Sequence, residues 1–491
     1  MPPKLAVLIA AVFVLAAFRS DKEASQWPSD GLFWPTLWYV IVASRPIGVW
    51  LDIWGVPLPG GGGDATDGSA IDRYFFSVLT VIGVTILSRR RVDIGAIVRS
   101  NPVVTCLLLY MAISVVWSAY PFVSFKRLIK MIGSVVMALV IVTHPRRFDA
   151  ALTVLKSCLF IHLPMSIIFT RYFRDLGVTF DWSGSSESWI GIATSKNTLG
   201  QVAMLGLICF SVVLRQNWSR KRFQFFPMAY LGMALYLLRG SSEAISMTSV
   251  SVAAFATIVL YRLQAYRSLP AQARPFVVAV FSAVVALILL VAAHSIFLFS
   301  ADSVLGTMVT MFGRDITLTD RTYIWSDCYA AVSNPLLGVG FGGFWIGRLV
   351  NIPWNASMTW VLGQAHSGYV ETYLQLGLIG VLLLAMLVFT TLPKLLRELE
   401  THFDDGAIRI TLFLTILFVN VTESVFPRGD HHLWLLFLVA LIHVPVVGEV
   451  RKRVPLRRAP RIVTARTHRA APPRIVEASG LRLHGVAAPQ H

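Results

Sequence analysis

Apolar runs recur along almost the whole chain, at residues 5–18, 33–56, 74–88, 102–118, 127–143, 149–170, 198–214, 224–238, 243–261, 276–299, 366–392, 407–425 and 432–448. Crossing a hydrocarbon core of ~30 Å takes about 20 apolar residues. Backbone polar groups in lipid must be satisfied within the segment, so runs of this kind are helices. The pattern predicts an all-α polytopic membrane protein with about 12–13 transmembrane helices and one long outer loop. The count turns on residues 33–56, which carry Arg45, Pro46 and Asp52. A full set of spans places Met1 outside; a broken or non-spanning early segment removes one.

Charge then orients the bundle. Arg89-Arg90-Arg91, Arg146-Arg147, the Arg215/Arg220-Lys221-Arg222 loop, the Arg262/Arg266/Arg274 loop and Lys394/Arg397 alternate onto one face, which the positive-inside rule makes cytoplasmic. Loops 119–126, 171–197, 239–242, 300–365 and 426–431 are then outside. The expected organisation is N-terminal spans with a Gly-rich loop over 1–71, transmembrane helices over 72–299, the long loop 300–365, C-terminal helices over 366–448, and a basic tail over 449–491. A structureless connection of that loop's length is unusual, so it is expected to fold. Its passage Asn334–Phe344 is hydrophobic and Gly-rich, suited to the lipid interface or to a cluster of turns.

Composition agrees with the pattern: 55% of residues are hydrophobic, 14% are charged, and the mean hydropathy is +0.66. The net charge of +17 raises the possibility of nucleic acid, but residues 451–491 hold ten Lys/Arg against Glu477, more than half of the excess. Such a tail belongs beside anionic lipid at the cytoplasmic surface. It lacks the interleaved aromatics that stack bases, so no nucleic acid is expected. Cys106, Cys158 and Cys209 fall in apolar runs and Cys328 stands apart, which implies no disulfide framework. Residues 5–18 follow Lys4 as a signal-peptide core would, but Ala16-Ala17-Phe18-Arg19 is a poor cleavage site, and an uncleaved first span is expected.

Candidate chemistry concentrates outside. Arg314 and Arg321 lie seven residues apart and share a face if that segment is helical. A guanidinium fork binds phosphate oxygens bidentately, whereas a bland pair would only snorkel to headgroups. His366 stands where the long loop meets a span, with Tyr369 and Tyr373 following on its helical face. A histidine works as a base near neutral pH without a large shift; a helix cap is its ordinary alternative role. Asp315 and Asp320 flank the two arginines, and ion pairing accounts for them. No set of metal-ligand spacing is evident, so neither metal nor cofactor is expected. Lys196 opens a span at the outer surface within Ser195-Lys196-Asn197-Thr198-Leu199-Gly200, and Arg239-Gly240-Ser241-Ser242-Glu243 is the charged cluster at the next outer turn. Both are candidates for the same site, or snorkelling cations.

Together, Gly313-Arg314-Asp315, Thr317-Leu318-Thr319, Arg321-Thr322 and Ile324-Trp325, followed by Asn334-Pro335-Leu336-Leu337-Gly338, His366-Ser367-x-Tyr369 and Leu376-Gly377-x-Ile379-Gly380, resemble the O-antigen ligase and polymerase superfamily. Ser195-Lys196-Asn197 looks like the lysine-asparagine motif of its exopolysaccharide-polymerase branch. The resemblance covers roughly 75–448 and is most specific through 313–380. It implies a metal-independent, inverting glycosyltransferase of the bacterial inner membrane, with a periplasmic site acting on undecaprenyl-diphosphate-linked oligosaccharide. By motif match, Arg321 binds diphosphate, Arg314 assists, and His366 acts near the acceptor hydroxyl. Lys196, Arg239 and Tyr369 complete the expected substrate-binding set. The chain departs from the family where Ser241-Ser242 is followed by Glu243 instead of an arginine, leaving Arg239 nearest, and where His366 precedes Ser367 instead of asparagine. The leading expectation is a polymerase of exopolysaccharide or O-antigen repeat units, with membrane lipids, a flippase and a chain-length regulator as partners. A ligase delivering glycan to lipid A-core shares the donor. From another class, a transporter or lipid-linked-oligosaccharide flippase is suggested by Lys156 and His162 inside a span.

Overall fold

The computed structural model describes residues 2–21, 31–56, 69–145, 147–180, 187–219, 224–241, 283, 321–346 and 363–445. The expected spans 243–261 and 276–299, the basic tail, Gly60–Gly63 and Arg314 lie outside the described residues. Residues 1–445 form one compact unit.

Helices form where the apolar runs were predicted, and one short helix, α5, forms between two of them: α1 (Pro3–Ser20), α2 (Phe33–Ala43), α3 (Ile47–Ile53), α4 (Ala70–Arg89), α5 (Ile94–Ser100), α6 (Pro102–Ser114), α7 (Pro121–Val142) and α8 (Arg147–Tyr172). A short turn, α9 (Arg174–Gly177), precedes α10 (Lys196–Ser219) and α11 (Phe225–Gly240). The loop helix α12 (Arg321–Ala331) is followed by α13 (Gly368–Thr401), α14 (Phe403–Thr422) and α15 (His432–Leu441). Among the described residues five helices are long and apolar enough to cross a membrane, or six if α5 and α6, bent by 101° at Asn101, count as one span. The fold is all-α and polytopic. Among the described residues the one departure is a hairpin in the 171–197 connection, where β1 (Val178–Phe180) pairs antiparallel with β2 (Glu187–Trp189).

The early segment 33–56 is broken. Proline disfavours helical backbone at the residue before it, and Pro46 separates α2 from α3 at Arg45. Arg45 is buried, and its guanidinium donates to the carbonyls of Leu176, Gly191 (3.2 Å) and Ala193 (3.2 Å). The break thus supplies the donor that ties Leu176, Gly191 and Ala193 together.

Helix α8 is the inner strut, contacting α1, α2, α7, α10, α11 and α14. Val154, Cys158 and Leu163 on it are fully buried. Lys156 and His162, the two residues on it that suggested a transporter, have internal partners. The ammonium of Lys156 pairs with Asp21 at 2.6 Å, and both are largely removed from solvent. His162 donates from Nε2 to the Ala43 carbonyl at 3.0 Å and accepts at Nδ1 from the Ser166 hydroxyl at 3.2 Å. Bonds inside the bundle account for both residues, without a transport path.

The long loop contributes structure rather than a surface tether. Its Gly-rich passage docks on α13: the Val339 and Gly340 N–H groups donate to the carbonyls of Leu374 and Gln375, while those of Leu378 and Ile379 donate back to Pro335 and Leu336. Helix α13 can accept these bonds because it leaves helical geometry at Gly377, where φ is +63°. A Cβ there would fall 2.2 Å from the Leu336 carbonyl oxygen. Phe341, Phe344 and Trp345 are buried by this docking, away from the lipid interface considered for them.

The Lys156–Asp21 pair gives the fold its clearest single-residue test. Removing one partner of a buried ion pair strands the other charge, at a cost of roughly 3–5 kcal/mol. Lys156→Met is expected to destabilise the detergent-solubilised protein by about that amount in thermal unfolding, and a second change, Asp21→Leu, to recover most of it. Unchanged stability in Lys156→Met would contradict the pairing.

Candidate functional site

The site is built where α13 begins. Ser367 caps the helix, its hydroxyl accepting from the Val370 N–H, in a backbone conformation that permits no earlier helical turn. His366, one residue before, has φ +53°, a left-handed conformation costing a non-glycine residue roughly 1–2 kcal/mol. Neighbouring bonds hold it there. On one side the Ala365 N–H donates to Glu371 Oε2 at 3.0 Å; on the other the Ser367 N–H donates to Ser424 Oγ and the Gly368 N–H to the Glu423 carbonyl. Gly368 permits this approach, since a Cβ would stand 1.8 Å from Asn420 Oδ1, the atom that accepts the Val425 and Phe426 N–H groups.

Glu371 joins three segments. Buried at 1% exposure, its carboxyl accepts from the Trp345 indole at 2.7 Å, from the Gln375 amide at 2.7 Å, and from Ala365. The loop helix is tied to the same place, as Trp325 of α12 donates to the Ala365 carbonyl at 2.8 Å. Arg321 opens α12 one turn before Trp325, so its backbone lies a single turn from the residue that contacts the neighbour of His366.

His366 lines a cavity of about 730 Å³. The segments that surround it are Ser44–Pro46, the start of α4, α7, Thr194–Gln201, 363–366 and 423–432. Eight of the lining residues, Thr194, Ser195, Asn197, Gly363, Gln364, Arg428, Asp430 and His431, lie in loops that the charge pattern assigns to the outer face. The lining is polar and of mixed sign. Glu423, with a side chain 4% exposed, accepts from Asn197 Nδ2 at 2.9 Å and has its other oxygen 3.9 Å from His366 Nδ1. Arg428 donates to Gln364 Oε1 at 2.9 Å and lies 3.7 Å from Asp430. Lys130 of α7 holds its ammonium 4.7 Å from the centre of the Phe76 ring, which also lines the cavity. It lies nine residues into α7, about 14 Å along the helix from its N-terminal end. The cavity therefore reaches below the helix ends. His431 accepts the Leu433 N–H at Nδ1, and burial, then Arg428, push its pKa down to about 3, so it stays neutral as a cap of α15.

Of the six candidate residues, His366 alone is placed in the wall of this cavity among the described residues. Lys196 is half-buried and absent from the lining, although its neighbours Ser195, Asn197 and Thr198 all contribute. Arg239 is exposed at the end of α11 and does not reach it. Tyr369 is buried with its hydroxyl donating to the Leu417 carbonyl at 2.9 Å, a bond that joins α13 to α14. Arg314, and the side chain of Arg321, fall outside what is described. Sequence reasoning missed Lys130, Gln364, Glu423, Arg428 and Asp430. Two signals were available: a lysine just inside the start of a predicted span, Lys130 in 127–143, and the dense Arg428-Gly429-Asp430-His431-His432 cluster in so short an outer loop.

Glu371 tests whether this arrangement is held as described. Glu371→Ala leaves the Trp345, Gln375 and Ala365 donors without their acceptor in a buried setting, where each stranded donor costs about 1–3 kcal/mol. A loss of roughly 3 kcal/mol or more is expected in unfolding of the purified protein, with stability within experimental error of wild type as the contrary result.

Comparison with known proteins follows the same lines. Residues 228–385 match the family described as O-Antigen ligase, a stretch that contains most of α11, the long loop and the first half of α13. The exopolysaccharide production protein ExoQ of Rhizobium meliloti (strain 1021) is 27% identical over 349 residues, covering 68% of this chain and 74% of the relative. The chain is accordingly a multi-pass membrane protein that resembles the O-antigen ligase family, and it resembles an exopolysaccharide-production relative over most of its length.

Proposed function

We propose that this protein is a polysaccharide polymerase of the bacterial inner membrane, joining undecaprenyl-diphosphate-linked repeat units at the periplasmic face. Similarity to an O-antigen ligase family domain and to an exopolysaccharide production protein supports a polymerase- or ligase-type role. The observation that carries the finer reading is the cavity beside His366. It combines a histidine, the cations Lys130 and Arg428, and the neutral donors Asn197 and Gln364 within a volume suited to a small ligand segment. A glycosyl diphosphate presents both things such a wall recognises, sugar hydroxyls and anionic oxygens.

In this reading the enzyme is a metal-independent inverting glycosyltransferase. The acceptor hydroxyl attacks the anomeric carbon as the bond to the diphosphate breaks, its proton is released to solvent in the cavity, and arginines meet the charge that develops on the leaving group. Arg321, at the start of α12, takes the diphosphate, with Arg314 assisting; His366 faces the reacting atoms. Lys196, Arg239 and Tyr369 serve at a distance from them, Tyr369 through the α13–α14 joint. The similarity to an exopolysaccharide production protein favours polymer growth over delivery to lipid A-core. A flippase supplying the donor and a chain-length regulator are the partners this activity requires.

Reconstitution with a defined undecaprenyl-diphosphate oligosaccharide tests the reading. Longer lipid-linked glycans are expected, and they should disappear in Arg321→Ala and His366→Ala proteins that still insert. Label on lipid A-core would assign the ligase reaction instead. Translocation of the lipid without bond formation would remove both.

A further inference from the structure

Which nitrogen of His366 carries its proton is decided by a residue that does not border it in sequence. Arginine has only N–H donors, so the atom of Gln364 that Arg428 Nη1 meets at 2.9 Å must be the amide oxygen. The amide NH₂ of Gln364 then points the other way, and it lies 3.3 Å from His366 Nδ1. An NH₂ group can only donate, so Nδ1 of the neutral ring must accept. The ring proton is left on Nε2. Among the described residues Nε2 of His366 has no hydrogen-bond partner, while the side chain is 26% exposed at the cavity wall.

We propose that Arg428, acting through Gln364, holds neutral His366 in the Nε2–H tautomer, so that the nitrogen left for substrate donates a hydrogen bond instead of accepting a proton. Arg428 and Gln364 are positioning residues in this scheme. Glu423 is the competing partner. Its Oε2 would favour a proton on Nδ1, but at 3.9 Å it is beyond hydrogen-bond distance, and the carboxylate is held at its other oxygen, Oε1, by Asn197 at 2.9 Å. Wrong-tautomer effects are large where an oriented imidazole does chemistry: replacing the carboxylate partner of a catalytic histidine by its amide costs about 10⁴ in kcat in a serine protease. Here the wild-type partner is already the amide, and the direction of the argument reverses. A donor at Nε2 suits an anionic oxygen or a sugar oxygen of the substrate, whereas a base at Nε2 would need a carboxylate where Gln364 stands.

The role in catalysis rests on the function proposed above; the tautomer does not. Nitrogen-15 spectra of histidine-labelled protein, with His366→Asn used to identify the signal, read the tautomer directly. The expected pattern for neutral His366 is a protonated Nε2 and an unprotonated Nδ1. Gln364→Glu, which exchanges the donor for an acceptor of the same shape, should move the proton to Nδ1. Arg428→Met should give a mixture of the two forms, and Arg428→Lys, which can still donate to the amide oxygen, should restore the wild-type pattern. A protonated Nδ1 in the wild type, or no change in Gln364→Glu, overturns the proposal. Glycan extension in Gln364→Glu should fall tenfold or more; extension at or above the wild-type rate with the proton moved to Nδ1 would make His366 a base and equally overturn it. If the wild type extends no lipid-linked glycan while its spectra show the Nε2–H form, the function fails and the tautomer assignment stands.

Discussion

A backbone that leaves the helix inside an apolar bundle must find new partners for every N–H and C=O it frees, because no bulk water is there to take them. That constraint organises the part of the protein around α13. Helix α13 breaks at Gly377, and the carbonyls and amides released there are met by residues 335–340, an irregular segment with the same need. Each supplies what the other lacks. The pairing gives the Gly-rich passage a fixed place 30 residues and more from α13 in sequence, and it carries Trp345 to the one buried carboxyl that reaches toward His366's neighbour.

The same logic explains why a strained residue sits at the mouth of the cavity. His366 is held left-handed by bonds made entirely by others: Ala365 to Glu371, Ser367 to Ser424, and Gly368 to the Glu423 carbonyl. Such strain persists only where the surroundings over-determine it, and it concentrates at functional sites. The histidine is thereby turned off the helix axis before α13 starts. Its ring can meet Gln364 on one side and the cavity on the other, instead of continuing the buried face that Tyr369 occupies.

Much of the fold was legible in the sequence because lipid imposes length and polarity on each helix separately. Runs such as 74–88, 149–170 and 198–214 became α4, α8 and α10 with little change. Where single residues break a helix, the text of the chain left alternatives open: Arg45-Pro46 signalled trouble in 33–56, but that Arg45 would be consumed by three carbonyls some 130 to 150 residues away is a tertiary fact. The site was legible in its chemistry and not in its membership. His366 could be found because its motif is local. Lys130, Glu423 and Arg428 could not be joined to it, because they lie on separate helices and turns and become neighbours only when α7 and the 423–431 turn close around α13. Lys196 and Tyr369 illustrate the converse. Each belongs to the right segment, yet helical geometry gives the cavity to Asn197 in one case and turns the hydroxyl into an α13–α14 bond in the other.

Charge in the cavity wall follows from burial as much as from chemistry. Glu423 is nearly inaccessible and hydrogen-bonded by a neutral amide, Asn197. Arg428 is drawn toward Asp430 and Gln364, and Lys130 rests on an aromatic face rather than on a carboxylate. None of these cations is locked into a tight bidentate pair among the described residues. In a low-dielectric recess, charges left loosely paired attract a polar, anionic ligand far more strongly than the same residues would at an open surface. Tighter pairing would have stabilised the empty wall and weakened its hold on such a ligand, so the loose arrangement is itself an argument that the wall was shaped for binding and not only for packing.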